Sequence, residues 1–104
     1  MAFLVNISQR ATLDLEFLFR KIDANNSTAA AKWFNGLEQA IQSLSNLPLR
    51  CPAAPERRKN GQPLRHLLYG NRPNLYRVIF AINKRTRTIT VLTVRHGAMD
   101  AFQE

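Results

Sequence analysis

The chain carries two hydrophobic rhythms in succession, one near 3.6 residues and then one of 2. It opens on Phe3-Leu4-Val5-Asn6-Ile7, an aromatic and β-branched run that predicts a first strand. Ser8 reads as an N-cap, because its hydroxyl can accept from the free amides of the turn that follows. Ala11, Leu15, Leu18 and Ile22 then recur at helical spacing and share one face. Asp23-Ala24-Asn25-Asn26 is polar and ends that helix. Asn26 or Ser27 can cap a second one, with Ala30, Phe34, Leu37, Ile41 and Leu44 as its stripe, widened by Trp33 and Ala40. Such a stripe is the core-facing side of an amphipathic helix. Gly36 costs about 1 kcal/mol against alanine inside a helix, so its presence predicts a close approach between the two helices. A short polar turn between them makes an antiparallel helical hairpin.

Pro48 closes the second helix, and the rhythm stops over residues 48–63. Four of the five prolines fall there (Pro48, Pro52, Pro55 and Pro63), which predicts a long loop without regular structure. Period-2 patterning then gives three strands. They are Leu64–Tyr69, Leu75–Asn83 and Thr88–Arg95, separated by a turn containing Pro73 and by the basic turn Lys84–Arg87. In the second of these, Tyr76, Val78, Phe80 and Ile82 share one face, and Arg77, Ile79 and Ala81 the other. In the last, Ile89, Val91 and Thr93 alternate with Thr90, Leu92 and Val94. Short connections make successive strands antiparallel neighbours. The expected fold is α+β, ordered β-α-α-β-β-β, in one domain over residues 1–104. The helical hairpin covers one face of a small antiparallel sheet, and the first strand joins an edge. The other face is left partly open, with Arg77 at or near it.

Composition narrows the function. The chain has 104 residues and a formal charge of +8, with 45% hydrophobic and 21% charged residues, which is a globular balance. No apolar run approaches the ~20 residues that span a bilayer, and the first residues lack the pattern of a secretory signal. No membrane association is expected. A single cysteine, Cys51, allows no internal disulfide and fits a reducing cytoplasm. The charge is lopsided. Residues 1–49 hold Arg10, Arg20, Lys21 and Lys32 against Asp14, Glu16, Asp23 and Glu38. Residues 50–104 hold the remaining eleven cations against Glu56, Asp100 and Glu104. Such asymmetry predicts one basic face for a nucleic acid or an acidic partner. The adjacent Arg57, Arg58 and Lys59 could grip phosphates beside a basic sheet.

The chemistry available is limited. Two histidines and one cysteine have no metal-ligand spacing, and no glycine-rich phosphate loop or serine–histidine–acid signature occurs. Neither metal nor cofactor is expected. What the chain supplies is cations and imidazoles on strands: Arg65, His66, Arg77, Arg95 and His96. Cleavage of RNA by its own 2′-hydroxyl needs a proton acceptor, a stabiliser for charge on phosphorus and a proton donor. The arginine fork suits the phosphate, and histidine can move a proton near neutral pH. A strand histidine on its own is more often structural.

The order of elements, with Val5-Asn6-Ile7-Ser8, Ala11, Asp14-Leu15, Pro63-Leu64-Arg65-His66-Leu67, Tyr76-Arg77-Val78-Ile79-Phe80 and Val94-Arg95-His96-Gly97, resembles the RelE/ParE superfamily of toxins from bacterial type II toxin–antitoxin modules. The resemblance covers nearly the whole chain. It implies a cytoplasmic toxin that causes growth arrest and contributes to plasmid stabilisation, neutralised by an acidic antitoxin protein. RelE-like and YoeB-like members are metal-independent endoribonucleases (mRNA interferases). They inhibit translation by cutting mRNA on the ribosome, whereas ParE-like members poison DNA gyrase. By that likeness Arg77 matches a phosphate-contacting arginine, and Arg65 matches a basic residue of the Pro-Leu-Lys-His stretch. His96 falls where nuclease members place a terminal basic residue. Arg77, His96 and Arg65 are thus the implied catalytic set, with Arg57, Arg58, Lys59, His66 and Arg95 as RNA or target contacts. The nuclease pattern is incomplete. Gln62 stands where YoeB-like members carry a glutamate base, and Phe102 stands in the tail in place of a tyrosine. Glu56 or His96 are the candidates to replace the base. The leading expectation is a ribosome-associated mRNA endonuclease; the alternatives are a gyrase inhibitor without catalysis of its own and a non-catalytic RNA-binding module.

Overall fold

The computed structural model describes residues 2–97. The elements are β1 (Leu4–Ile7), α1 (Gln9–Lys21), α2 (Thr28–Gln42), β2 (Ala53–Arg57), β3 (Pro63–Tyr69), β4 (Tyr76–Asn83) and β5 (Thr88–His96). Two 3-10 turns, Ser43–Ser45 and Pro48–Arg50, precede β2. One sheet runs β1-β5-β4-β3-β2. The α+β architecture, the helical hairpin and the edge position of β1 all hold. The sheet is mixed, because β1 pairs in parallel with β5, Leu4 opposite Thr88 and Ile7 opposite Val91.

Both helices start where the side chains dictate. Ser8 accepts from the Ala11 amide at 3.1 Å and Ser27 from the Ala30 amide at 3.2 Å, so each satisfies one of the free donors of a first turn. The main core lies between the helices and one sheet face. Ala11, Leu18, Phe34, Leu37 and Ile41 meet Tyr76, Val78, Phe80, Ile89, Val91 and Val94 there. Phe19 and Phe34 join the helices edge to face at 5.2 Å.

Four expectations need correction. The proline-rich stretch is not wholly irregular: β2 forms within it, antiparallel to β3, with an irregular register between Ala53 and Arg57. Proline is tolerated there because β2 is an edge strand, where a missing amide breaks no central ladder. The close approach at Gly36 is made by the sheet, not by α1. A Cβ at Gly36 would collide with the Tyr69 hydroxyl of β3, which donates to the Trp33 carbonyl at 2.7 Å. The alternation of β5 is broken by one residue. Ile79 faces Thr93 but Phe80 faces Val91, so Leu92 is the extra residue of a bulge and Val94 turns to the main core. Finally, the second sheet face is less open than expected, since Leu64, Ile79, Ala81 and Leu92 form a small buried cluster on it.

β5 outruns β1, and α1 tends the uncovered edge. The Ser8 hydroxyl donates to the Leu92 carbonyl at 3.0 Å. Asp14 Oδ2 accepts from the Val94 amide at 3.0 Å and from the Thr93 hydroxyl at 2.6 Å. A carboxylate thus does the work of a sixth strand over this stretch, which matters because open edges invite unwanted pairing.

Candidate functional site

β4 presents Arg77 on the face away from the helices, alongside Ile79. The antiparallel register puts Leu68 opposite Arg77 on β3, and His66 opposite Ile79. It puts Arg95 of β5 opposite Arg77 on the other side. Period-2 geometry therefore gathers Arg77, His66 and Arg95 on one face. β2 adds Glu56, one of the two candidates for the missing base.

Glu56 and Arg77 form a bidentate pair. Arg77 Nη2 lies 2.6 Å from Oε1, and Nη1 lies 2.8 Å from Oε2. The Glu56 side chain is 2% exposed and that of Arg77 12%. Two planar forks in register make a strong and directional contact. The same guanidinium also donates from Nε and Nη2 to His66 Nδ1, at 3.0 and 2.9 Å. A guanidinium has no acceptor, so Nδ1 must be the unprotonated nitrogen. Neutral His66 then carries its proton on Nε2. Burial pushes the His66 pKa below its ordinary value and the Arg77 charge adds to that, with Glu56 opposing. The ring is neutral at pH 7 and offers an N–H donor.

The remaining predicted residues sit elsewhere. Arg65 lies opposite Phe80 on the helix-facing side, and its Nη1 donates to the Cys51 carbonyl at 2.6 Å. His96 lies opposite Tyr76, whose ring it meets edge-on at 5.1 Å. Its Nε2 donates to the Pro73 carbonyl at 2.6 Å. Arg65, Arg77 and His96 thus do not converge on one point. Arg57, Arg58 and Lys59 occupy the end of β2 and its turn, with Arg57 donating to the Gly61 carbonyl at 3.0 Å. Gln62 donates to the Ile82 carbonyl at 3.4 Å. Phe102 lies outside the described residues. Cys51 is buried, and burial pushes its thiol pKa up, which makes it inert.

The pairing of Glu56 with Arg77 was the feature least visible in the sequence. Its one signal is that Glu56 is the sole acid among residues 50–97. Buried charge needs a partner, so the lone carboxylate of a basic region is marked to find an arginine. Among the described residues no group of three His, Cys, Asp or Glu side chains could hold a metal ion, and no helix is long and apolar enough to cross a membrane.

Two helices packed on one side of a five-stranded mixed sheet match the fold of RelE-like toxins. The toxin–antitoxin complex RelBE2 of Mycobacterium tuberculosis is similar at 26% identity over 92% of this chain and 99% of that one, with a TM-score of 0.56. A mutant of the Escherichia coli toxin RelE in the free state shares the fold at 16% identity, covering 94% and 86%, with a TM-score of 0.59. So does the archaeal RelE–RelB complex of Pyrococcus horikoshii, at 17% identity, covering 96% and 100%, with a TM-score of 0.58. No curated protein sequence matches significantly. The family model for the ParE toxin of the type II toxin–antitoxin system parDE matches residues 5–101. The chain belongs to that family and is a toxin of the RelE/ParE superfamily.

Proposed function

We propose that this chain is the toxin half of a toxin–antitoxin pair in the cytoplasm, held silent by an acidic antitoxin, and that it arrests growth by binding DNA gyrase. The observation that carries this is the state of the proton carriers. Both carboxylate oxygens of Glu56 are engaged by Arg77, so neither is turned toward a substrate proton. His66 gives its only basic nitrogen to the same arginine. Arg65 and His96 are turned to the opposite side and bound to backbone carbonyls. A face with donors and no available base suits binding rather than bond cleavage. The net charge of +8 suits an acidic antitoxin.

A message-cutting activity is the second reading, with Arg77, His66 and Arg95 in the phosphate-binding roles and His96 or Glu56 moving the proton. In its favour is the shared face of Arg77, His66 and Arg95, where two guanidinium groups could clasp a phosphate. One experiment separates the two. Purified chain is added to gyrase with relaxed plasmid, and in parallel to ribosomes programmed with message. The expected result is lost supercoiling with intact message. Cut message together with normal supercoiling overturns the gyrase reading and installs the nuclease.

A further inference from the structure

The β2–β3 and β4–β5 connections project from the same end of the sheet. β3 begins where β4 ends, since Arg65 lies opposite Phe80 in an antiparallel pair. The Gln62 side chain bridges the two hairpins through the Ile82 carbonyl. One connection brings Arg57, Arg58 and Lys59, and the other brings Lys84, Arg85 and Arg87. Residues 57–63 and 83–88 contain no Asp or Glu. Arg57, Lys59, Lys84 and Arg85 are exposed, and Arg58 and Arg87 half-buried.

Both turns are closed by their own hydrogen bonds. Gly61, at φ +85°, donates its amide to the Arg58 carbonyl at 2.8 Å. Arg58 donates to the Gln62 carbonyl at 3.0 Å. In the other turn Asn83 Oδ1 accepts from the Thr86 amide at 3.1 Å. The Arg87 guanidinium lies 4.3 Å from the centre of the Phe3 ring, so its contribution to the patch is its fixed charge. Strands lie about 4.8 Å apart, which sets the two hairpin tips roughly 10 Å from one another. Two rows of cations at that separation match the ~12 Å opening of the major groove of B-form DNA, whose rims are phosphates.

We infer that this end of the sheet is a docking surface for duplex DNA, holding the phosphate backbone without reading base sequence. It is distinct from the Glu56–Arg77–His66 cluster, which opens on a sheet face rather than at the strand ends. The choice of DNA over RNA rests on the gyrase reading, because gyrase works on duplex DNA. The surface would seat the toxin on the DNA segment next to its target.

The test is fluorescence anisotropy of a 20-bp DNA duplex with the full chain over a range of salt, with no gyrase present. Six phosphate contacts predict a slope of log K against log salt near −5. The triple variant K59Q/K84Q/R85Q removes three exposed charges and should bind at least tenfold more weakly, with a slope shallower by about 2.5. The charge-matched variant R20Q/K21Q/K32Q, altered on the helices, should bind as the parent does. Circular dichroism and the thermal midpoint certify that both variants fold. Equal weakening in the two variants overturns the surface, because net charge alone would then explain binding. Equal or tighter binding of an RNA duplex of the same sequence overturns the assignment to DNA. DNA binding that the triple variant alone loses, together with normal supercoiling, strikes only the gyrase reading, and parent-like binding by the triple variant overturns the surface. Lost supercoiling in parent and triple variant alike, without DNA binding, strikes only the surface.

Discussion

Glu56 and Arg77 show how one residue pair sets the character of a face. The pair is nearly dry, so its attraction is set against a large desolvation cost, and its removal is asymmetric. Glu56→Ala strands a buried guanidinium and should cost about 3 kcal/mol in urea unfolding. The double variant E56L/R77L loses both charges together and should recover most of that stability. His66 makes the same cluster sensitive to acid. Its folded pKa lies below its unfolded one, so between the two the unfolded chain binds more protons. Stability therefore rises with pH across that window and is lost as pH falls below about 6.5. His66→Gln keeps an acceptor for Arg77 and should flatten that step when unfolding is compared at pH 7.5 and 5.5. An unchanged pH dependence in His66→Gln would show that the ring does not titrate with folding.

Elements are positioned by a few contacts that patterning alone does not reveal. Gly36 lets α2 settle on β3 through the Tyr69 hydroxyl. Gly36→Ala gains about 1 kcal/mol of helix propensity but must displace that hydroxyl and break its bond to Trp33. We expect a net loss of about 1 kcal/mol, and a smaller loss or a gain when the same change is made in a Tyr69→Phe background, read as a double-mutant cycle. Asp14→Ala removes the acceptor for two groups on the edge of β5 and should cost about 2 kcal/mol by thermal unfolding. The helices and β3 to β5 were legible in the sequence because their apolar spacing follows from burying one face. β2 was not, since Pro55 within it and Pro52 and Pro63 beside it mask an edge strand that pairs with its neighbour β3. The bulge at Leu92 was hidden for a different reason: apolar residues stand on both sides of β5 there, so either phase fits. The split of the predicted site follows from the period of 2, which assigns Arg65 and His66, or Arg95 and His96, to opposite faces. Adjacent residues on a strand cannot serve one point, and that much could be read before any coordinates.

At the scale of the molecule, charge and shape divide the labour. The helical half carries no net charge in its sequence, while the strand half carries the excess. An acidic partner that binds only the folded toxin stabilises it by mass action, about 2.7 kcal/mol at a hundredfold excess over Kd. For a chain of this size that should raise the melting temperature by about 10 °C or more. The shift should shrink in 1 M salt, where screening shortens to about 3 Å. A salt-insensitive shift would mean that apolar contact, not charge, holds the antitoxin. The parallel pairing of β1 with β5 has a consequence in time as well as in space. Among the described strands, the first made pairs with the last. A nascent polypeptide leaving the exit tunnel therefore cannot complete this sheet until Thr88–His96 has emerged. Until then the surface that an antitoxin would recognise is unfinished.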